Sequence, residues 1–137
     1  MLIQTAECRR IHIVRLNSGD DVLLAVREAV RELDLRNGVI LTGLGSLSRY
    51  HIHVVESTNL PPGNAFRGEE GPYDILNING LILEGRVHAH ITFSGLNVAL
   101  GGHMEEGCRI LTFGIVILGE ATGAGLLNWD RVGTISE

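Results

Sequence analysis

Only one stretch of this 137-residue chain carries helical periodicity, and everything after it is patterned as strand. Val22, Leu23, Val26, Ala29, Val30 and Leu33 recur every three to four positions, while Arg27, Glu28, Arg31, Glu32 and Asp34 fill the opposite face. Ser18 is expected to cap the first free amides, Asp20 and Asp21 to sit at the positive end of the helix dipole, and Asn37-Gly38 to supply a left-handed stop. Ile11, Ile13, Val14 and Leu16 make a short strand before this helix. After it, Val39–Leu44 is apolar, Tyr50–Val55 and Val87–Phe93 alternate, and Ile75–Leu83 alternates around Asn77, Asn79 and Gly80. Ile110–Leu118 is apolar on both faces, so both should be covered, by the helix and by a neighbouring subunit. The one long loop is expected across Asn59 to Pro72, where Gly, Pro and charge concentrate. The pattern predicts an α+β domain with one main helix packed on a mainly antiparallel β-sheet.

A chain of this length is one domain, and it can bury roughly two thirds of its unfolded surface without a disulfide or metal. It contains no lysine, so all eleven basic side chains are Arg. That removes Schiff-base catalysis, a lysine base and the lysine of a phosphate-binding Walker loop. The formal charge of −5 with neutral His gives no basic footprint for nucleic acid, and six aromatic residues are few for a base-stacking surface. Cys8 and Cys108 lie a hundred positions apart without CxxC spacing, which fits a reducing compartment. Met1 to Arg10 lacks the apolar core of a secretory leader, and Ile110 to Gly119 is about half of the ~20 residues a membrane helix needs. The expected setting is the cytoplasm, with no membrane partner.

The strongest local signal is Val87-His88-Ala89-His90-Ile91-Thr92-Phe93. Strand geometry puts His88, His90 and Thr92 on one face and the apolar residues on the other. Two imidazoles two positions apart on a rigid strand can chelate one cation. Gly101-Gly102-His103 follows, and the glycines let backbone or ligand come close and aim a third imidazole. Three neutral His nitrogens with an open position form the ligand set of a catalytic zinc site, although paired surface histidines explain the same pattern without metal. His51-Ile52-His53 also shares a face but has no glycine-positioned partner and reads as a solvated strand face. His12 reads as a satisfied structural residue, and Cys108 as a small buried thiol. Glu105 and Glu106, just after His103, could supply a carboxylate ligand or a general base, although two acids in a turn are more often only solvated. Gly43-Leu44-Gly45-Ser46 lacks the third glycine, lysine and helix of a phosphate loop and reads as a tight turn. Ser46 has no GxSxG elbow, and no catalytic residue is marked.

Gly43-Leu44-Gly45-Ser46-Leu47, then Gly71-Pro72-Tyr73-Asp74-Ile75-Leu76 running on to Gly80, then His88-Ala89-His90-Ile91-Thr92, then Gly101-Gly102-His103 occur in an order that resembles the PPC (plant-and-prokaryote conserved) domain family. The resemblance spans about residues 10–119, leaving 120–137 as a C-terminal tail of one domain over 1–137. It implies a homotrimer in which His88, His90 and His103 gather in a pocket near the subunit interface, where some prokaryotic members hold a metal. In plants the domain follows AT-hook motifs of nuclear DNA-binding proteins. Here the Arg-Gly-Arg-Pro core of that motif is absent, and Pro72, Tyr73 and Asp74 stand where the plant segment has Arg, Phe and Glu.

The resulting expectation is a homotrimeric protein binding zinc, or nickel, cobalt or iron, through His88, His90 and His103, and acting on or sensing a small molecule. The alternative is a DNA-associated regulatory or oligomerisation module, against which the charge and the missing arm argue. A cupin-type metal enzyme is disfavoured, because Phe93 and Ser94 stand where its motif needs a Glu.

Overall fold

The computed structural model describes residues 1–135 and runs β1 (Glu7–Asn17), α1 (Val22–Glu32), β2 (Gly38–Val55), β3 (Asn64–Leu83), β4 (Arg86–Ser94), β5 (Ala99–Met104) and β6 (Arg109–Thr122). Every strand pairing is antiparallel, in the order β1-β6-β2-β3-β4-β5. β5 also pairs with the far end of β2 at Ile52 and His53, so β2 to β5 close on themselves. The single helix on an antiparallel sheet is the architecture the periodicity predicts.

The helix ends differ from the expectation. Its cap is Asp21, not Ser18: the Asp21 carboxylate accepts from Leu24 N (3.2 Å) and also from Gly107 N (2.7 Å). One buried carboxylate thus caps α1 and ties it to the turn before β6. The stop comes at Asp34, whose φ of 50° lies in the left-handed region, rather than at Asn37-Gly38. Leu35 N donates to Val30 O and Asp34 N to Arg31 O, the paired bonds of a Schellman motif. Leu33 is consequently exposed, and Leu35 takes its place in the core. Val22, Leu23, Val26 and Val30 pack on β1, β4 and β6, each fully buried side chain contributing about 1.5–3 kcal/mol. Within the closed strands Tyr50, Tyr73 and Phe93 form a ring cluster with centroids 4.5–5.4 Å apart.

Two further expectations are corrected. Gly43–Ser46 is not a turn: β2 runs through it, and a Cβ on Gly45 (φ 142°) would lie 2.2 Å from Phe113 O, so glycine is needed for β6 to approach. The long loop is shorter than its composition suggests, because Asn64–Glu70 pairs with Arg49–Val55 and extends β3 along the edge of β2. Residues 64–70 are exposed throughout, so they carry no apolar alternation to mark them as strand. Ile110–Leu118 is covered on one face only within the chain: Ile110, Val116 and Leu118 are buried, whereas Leu111 and Phe113 are exposed beside Leu44, Ile13 and Ile11.

Candidate metal centre

β4 buries Val87, Ala89, Ile91 and Phe93 and turns His88 and His90 to the opposite side, as its alternation predicts. The register of the neighbouring strands then assembles the rest. His103 of β5 stands opposite His90 of β4 on one side and His53 of β2 on the other. Gly102 permits this approach, since a Cβ there would meet His53 O at 2.6 Å. The His103 ring centroid lies 4.4 Å from His53, 4.7 Å from His88 and 5.4 Å from His90, and His88 and His90 are 5.6 Å apart. Four imidazoles therefore line one concavity of ≈ 390 Å³, walled on the apolar side by Val54 and Val55.

Two carboxylates support this group. Glu105 Oε1 is 2.6 Å from His53 Nδ1 and 3.4 Å from His103 Nδ1. Asp130 Oδ2 is 2.9 Å from His88 Nδ1, and the same carboxylate is gripped by both terminal nitrogens of Arg86. An ionised carboxylate only accepts, so the Nδ1 atoms of His53 and His88 donate to Glu105 and Asp130, and in a neutral imidazole so held the lone pair is on Nε2. Burial, followed by the neighbouring imidazoles, holds His90 and His103 below the ordinary His pKa, which keeps them neutral and able to ligate near pH 7. The Arg86 hydrogen bonds hold Asp130 well below the usual carboxylate range, so it is ionised.

His103 Nδ1 is buried and, although Glu105 Oε1 lies 3.4 Å away, makes no well-directed hydrogen bond among the described residues. A buried ring nitrogen without such a bond beside a carboxylate and further imidazoles is the donor set a transition-metal cation satisfies. The tightest group comprises His53, His103 and Glu105, whose donor atoms lie within 4.8 Å of one another, so these residues can hold a metal ion.

His88, His90 and His103 line one pocket, as the family resemblance implies, and His53, which is absent from the sequence-based ligand set, lines it with them. His53 is not a solvated strand residue, for its side chain is only 16% exposed. Glu105 is not a free turn acid either. The place of Glu105 just after His103 is the local signal for it, whereas His53 becomes part of the pocket only through its partner across the strands. His51, by contrast, is occupied by the carbonyl of Glu106, and Glu106 pairs with Arg27 on α1. Cys108 is the buried thiol expected, with its pKa pushed up to about 11 by desolvation. His12 departs from expectation, since its Nε2 is buried without a partner.

A lone helix on an antiparallel sheet with an imidazole box between β2, β5 and β4 defines a class of small β-rich proteins with a cation-competent pocket. The sequence model of the Plants and Prokaryotes Conserved (PCC) domain matches residues 3–122, and the chain belongs to that family. A plant- and prokaryote-conserved protein of Pyrococcus horikoshii has the same fold, with a TM-score of 0.80 at 21% identity over 98% of this chain and 92% of that one. A metal-containing protein of Archaeoglobus fulgidus superposes with a TM-score of 0.80 at 17% identity, covering 91% of this chain and 89% of its own. A Bacteroides thetaiotaomicron protein named as a candidate DNA-binding protein gives 0.72 at 18% identity, covering 89% of this chain and 86% of its own. Among curated sequences, a bifunctional protein GlmU of Synechococcus sp. is 27% identical over 113 residues, 82% of this chain. The chain spans only 17% of the length of the curated relatives it matches. Among the described residues no helix is long and apolar enough to cross a membrane.

Proposed function

We propose that this protein is a homotrimeric metal-binding protein whose pocket, near the subunit interface, uses His88, His90 and His103 as imidazole ligands with His53 and Glu105 closing the remaining side. The observation that carries the reading is the buried Nδ1 of His103, without a well-directed hydrogen bond among the described residues and surrounded by three further imidazoles. Zinc is the proposed ion, because it accepts neutral imidazoles and a carboxylate without a strict geometric demand. When bound, such an ion supplies Lewis acidity. The chain's own contribution is to keep His90 and His103 neutral by burial and to hold His53 and His88 by carboxylates. The open concavity of ≈ 390 Å³ leaves room for a small molecule that the protein acts on or senses. The metal content in the name of the Archaeoglobus relative supports the same reading.

Trimer formation is supported by the uncovered side of the sheet, where Ile13, Leu44, Leu111 and Phe113 are exposed together. Elemental analysis of protein purified without chelator, together with its solution mass, tests both parts. The expected result is near-stoichiometric zinc on a trimer. Protein that stays metal-free after incubation with zinc would overturn the site, and a monomeric mass would overturn the assembly.

A second reading, a DNA-associated regulatory module, is favoured by the names of two structural relatives, from Bacteroides thetaiotaomicron and Ralstonia eutropha. The net charge of −5 weighs against direct contact with duplex. A mobility shift at low salt that weakens steeply as salt is added would move this reading to first place.

A further inference from the structure

Beyond the stretch matched by the family model, the chain turns back onto the pocket. The side-chain amide of Asn37 donates to Ala124 O (3.2 Å), Leu126 is buried, and Asn128 takes a left-handed φ of 63°. These anchors deliver Asp130 to the outer face of β4, where its side chain is 14% exposed. There one carboxylate spans two residues of the same strand face. Arg86 Nη2 donates to Oδ1 at 2.7 Å and Nη1 to Oδ2, while His88 Nδ1 lies 2.9 Å from Oδ2.

We infer that Asp130 is a positioning residue for the pocket: by accepting from His88 Nδ1–H it fixes the imidazole as the Nδ1–H tautomer and presents the Nε2 lone pair to the ligand. Neutral imidazole has one donor and one acceptor nitrogen, and the hydrogen bond made by one sets the role of the other. Arg86 supplies the countercharge that keeps the carboxylate in place beside the ring. The arrangement matches the carboxylate–imidazole support that orients metal-bound histidines, and here the carboxylate comes from residue 130, outside residues 3–122. The role of Asp130 in ligand affinity rests on the metal reading above, whereas the tautomer does not.

The test uses the full chain, stripped of metal, with ¹⁵N-labelled histidine. Two-bond proton–nitrogen correlation spectra are expected to report His88 as the Nδ1–H tautomer in the wild type and as a mixture shifted toward Nε2–H in Asp130→Asn. Zinc titration is expected to show a loss of about 10–100-fold in affinity for Asp130→Asn. In a His88→Ala background the same substitution should cost nothing further, because its effect passes through His88. A wild-type His88 found as Nε2–H would overturn the inference, and this measurement needs no variant to fold. So would an unchanged tautomer in Asp130→Asn, or an affinity loss that stays additive with His88→Ala and thereby marks a merely structural tail contact. A wild type that binds no zinc but shows the Asp130-dependent tautomer would overturn the metal reading while supporting the positioning role.

Discussion

The two sides of the closed strands β2–β5 are made of alternate residues in the same segments, yet they obey different physics. Ile52, Ile91, Phe93 and Met104 point inward and are essentially excluded from solvent. Their immediate neighbours His53, His90 and His103 point outward into the pocket. The inner side gains free energy by burying apolar area and needs only close packing. The outer side partly desolvates groups that repel one another once protonated, so it yields little stability and is organised instead around lone pairs and carboxylates. A single step along a strand separates what holds this molecule together from what it can bind.

Substitutions on the two sides should therefore separate cleanly. The largest effect is expected inside: Phe93→Ala removes the ring packed on Tyr50 and Tyr73 and should cost about 3–5 kcal/mol in denaturant unfolding. A loss near zero would mean that the ring cluster is not what closes these strands. On the outer side His103→Ala should change unfolding by less than about 1 kcal/mol. It should lower zinc affinity by more than the roughly 100-fold upper range of a supporting residue, as read by calorimetric titration. Unaltered affinity would take His103 out of the site.

Acid should act on the outer side alone. The unfolded chain takes up protons at the ordinary His value of 6.5, while His90 and His103 in the fold resist them. Stability is then fully present above about pH 6.5 and declines as the pH falls below it. Urea midpoints between pH 5 and 8 should follow this slope, and replacing His103 by Gln should flatten it. Bound zinc should leave in the same window, since protonated imidazole cannot ligate. The smallest effect concerns a thiol on the inner side. Cys108, with its pKa near 11, should resist alkylation at pH 8 while exposed Cys8 reacts, and labelling of both in the native protein would show that the strands open readily.

Much of this architecture was legible from periodicity. The 3.6-residue repeat over Val22–Val30 and the two-residue repeat over Val87–Phe93 survive in the structure nearly unchanged, because each is a property of one segment and one buried face. The ends of elements were less legible. Asp21 and Asp34 define α1 through contacts with Gly107 and through a left-handed turn, and several residues nearby carry equally suitable side chains. The first part of β3, residues 64–70, was hidden because residues exposed on both faces leave no hydrophobic signature.

The pocket divides along the same line. By itself the sequence determined that His88 and His90 share a face and that glycines precede His103, since alternation and backbone freedom are local. Only the tertiary structure decided that His53 stands opposite His103, that Glu105 reaches both, and that Asp130 returns from the C-terminal segment to hold His88. Those relations depend on strand register and chain return, which are set by the packing of the whole core: a slip of one residue in β2, β4 or β5 would send the histidines of that strand to the other face.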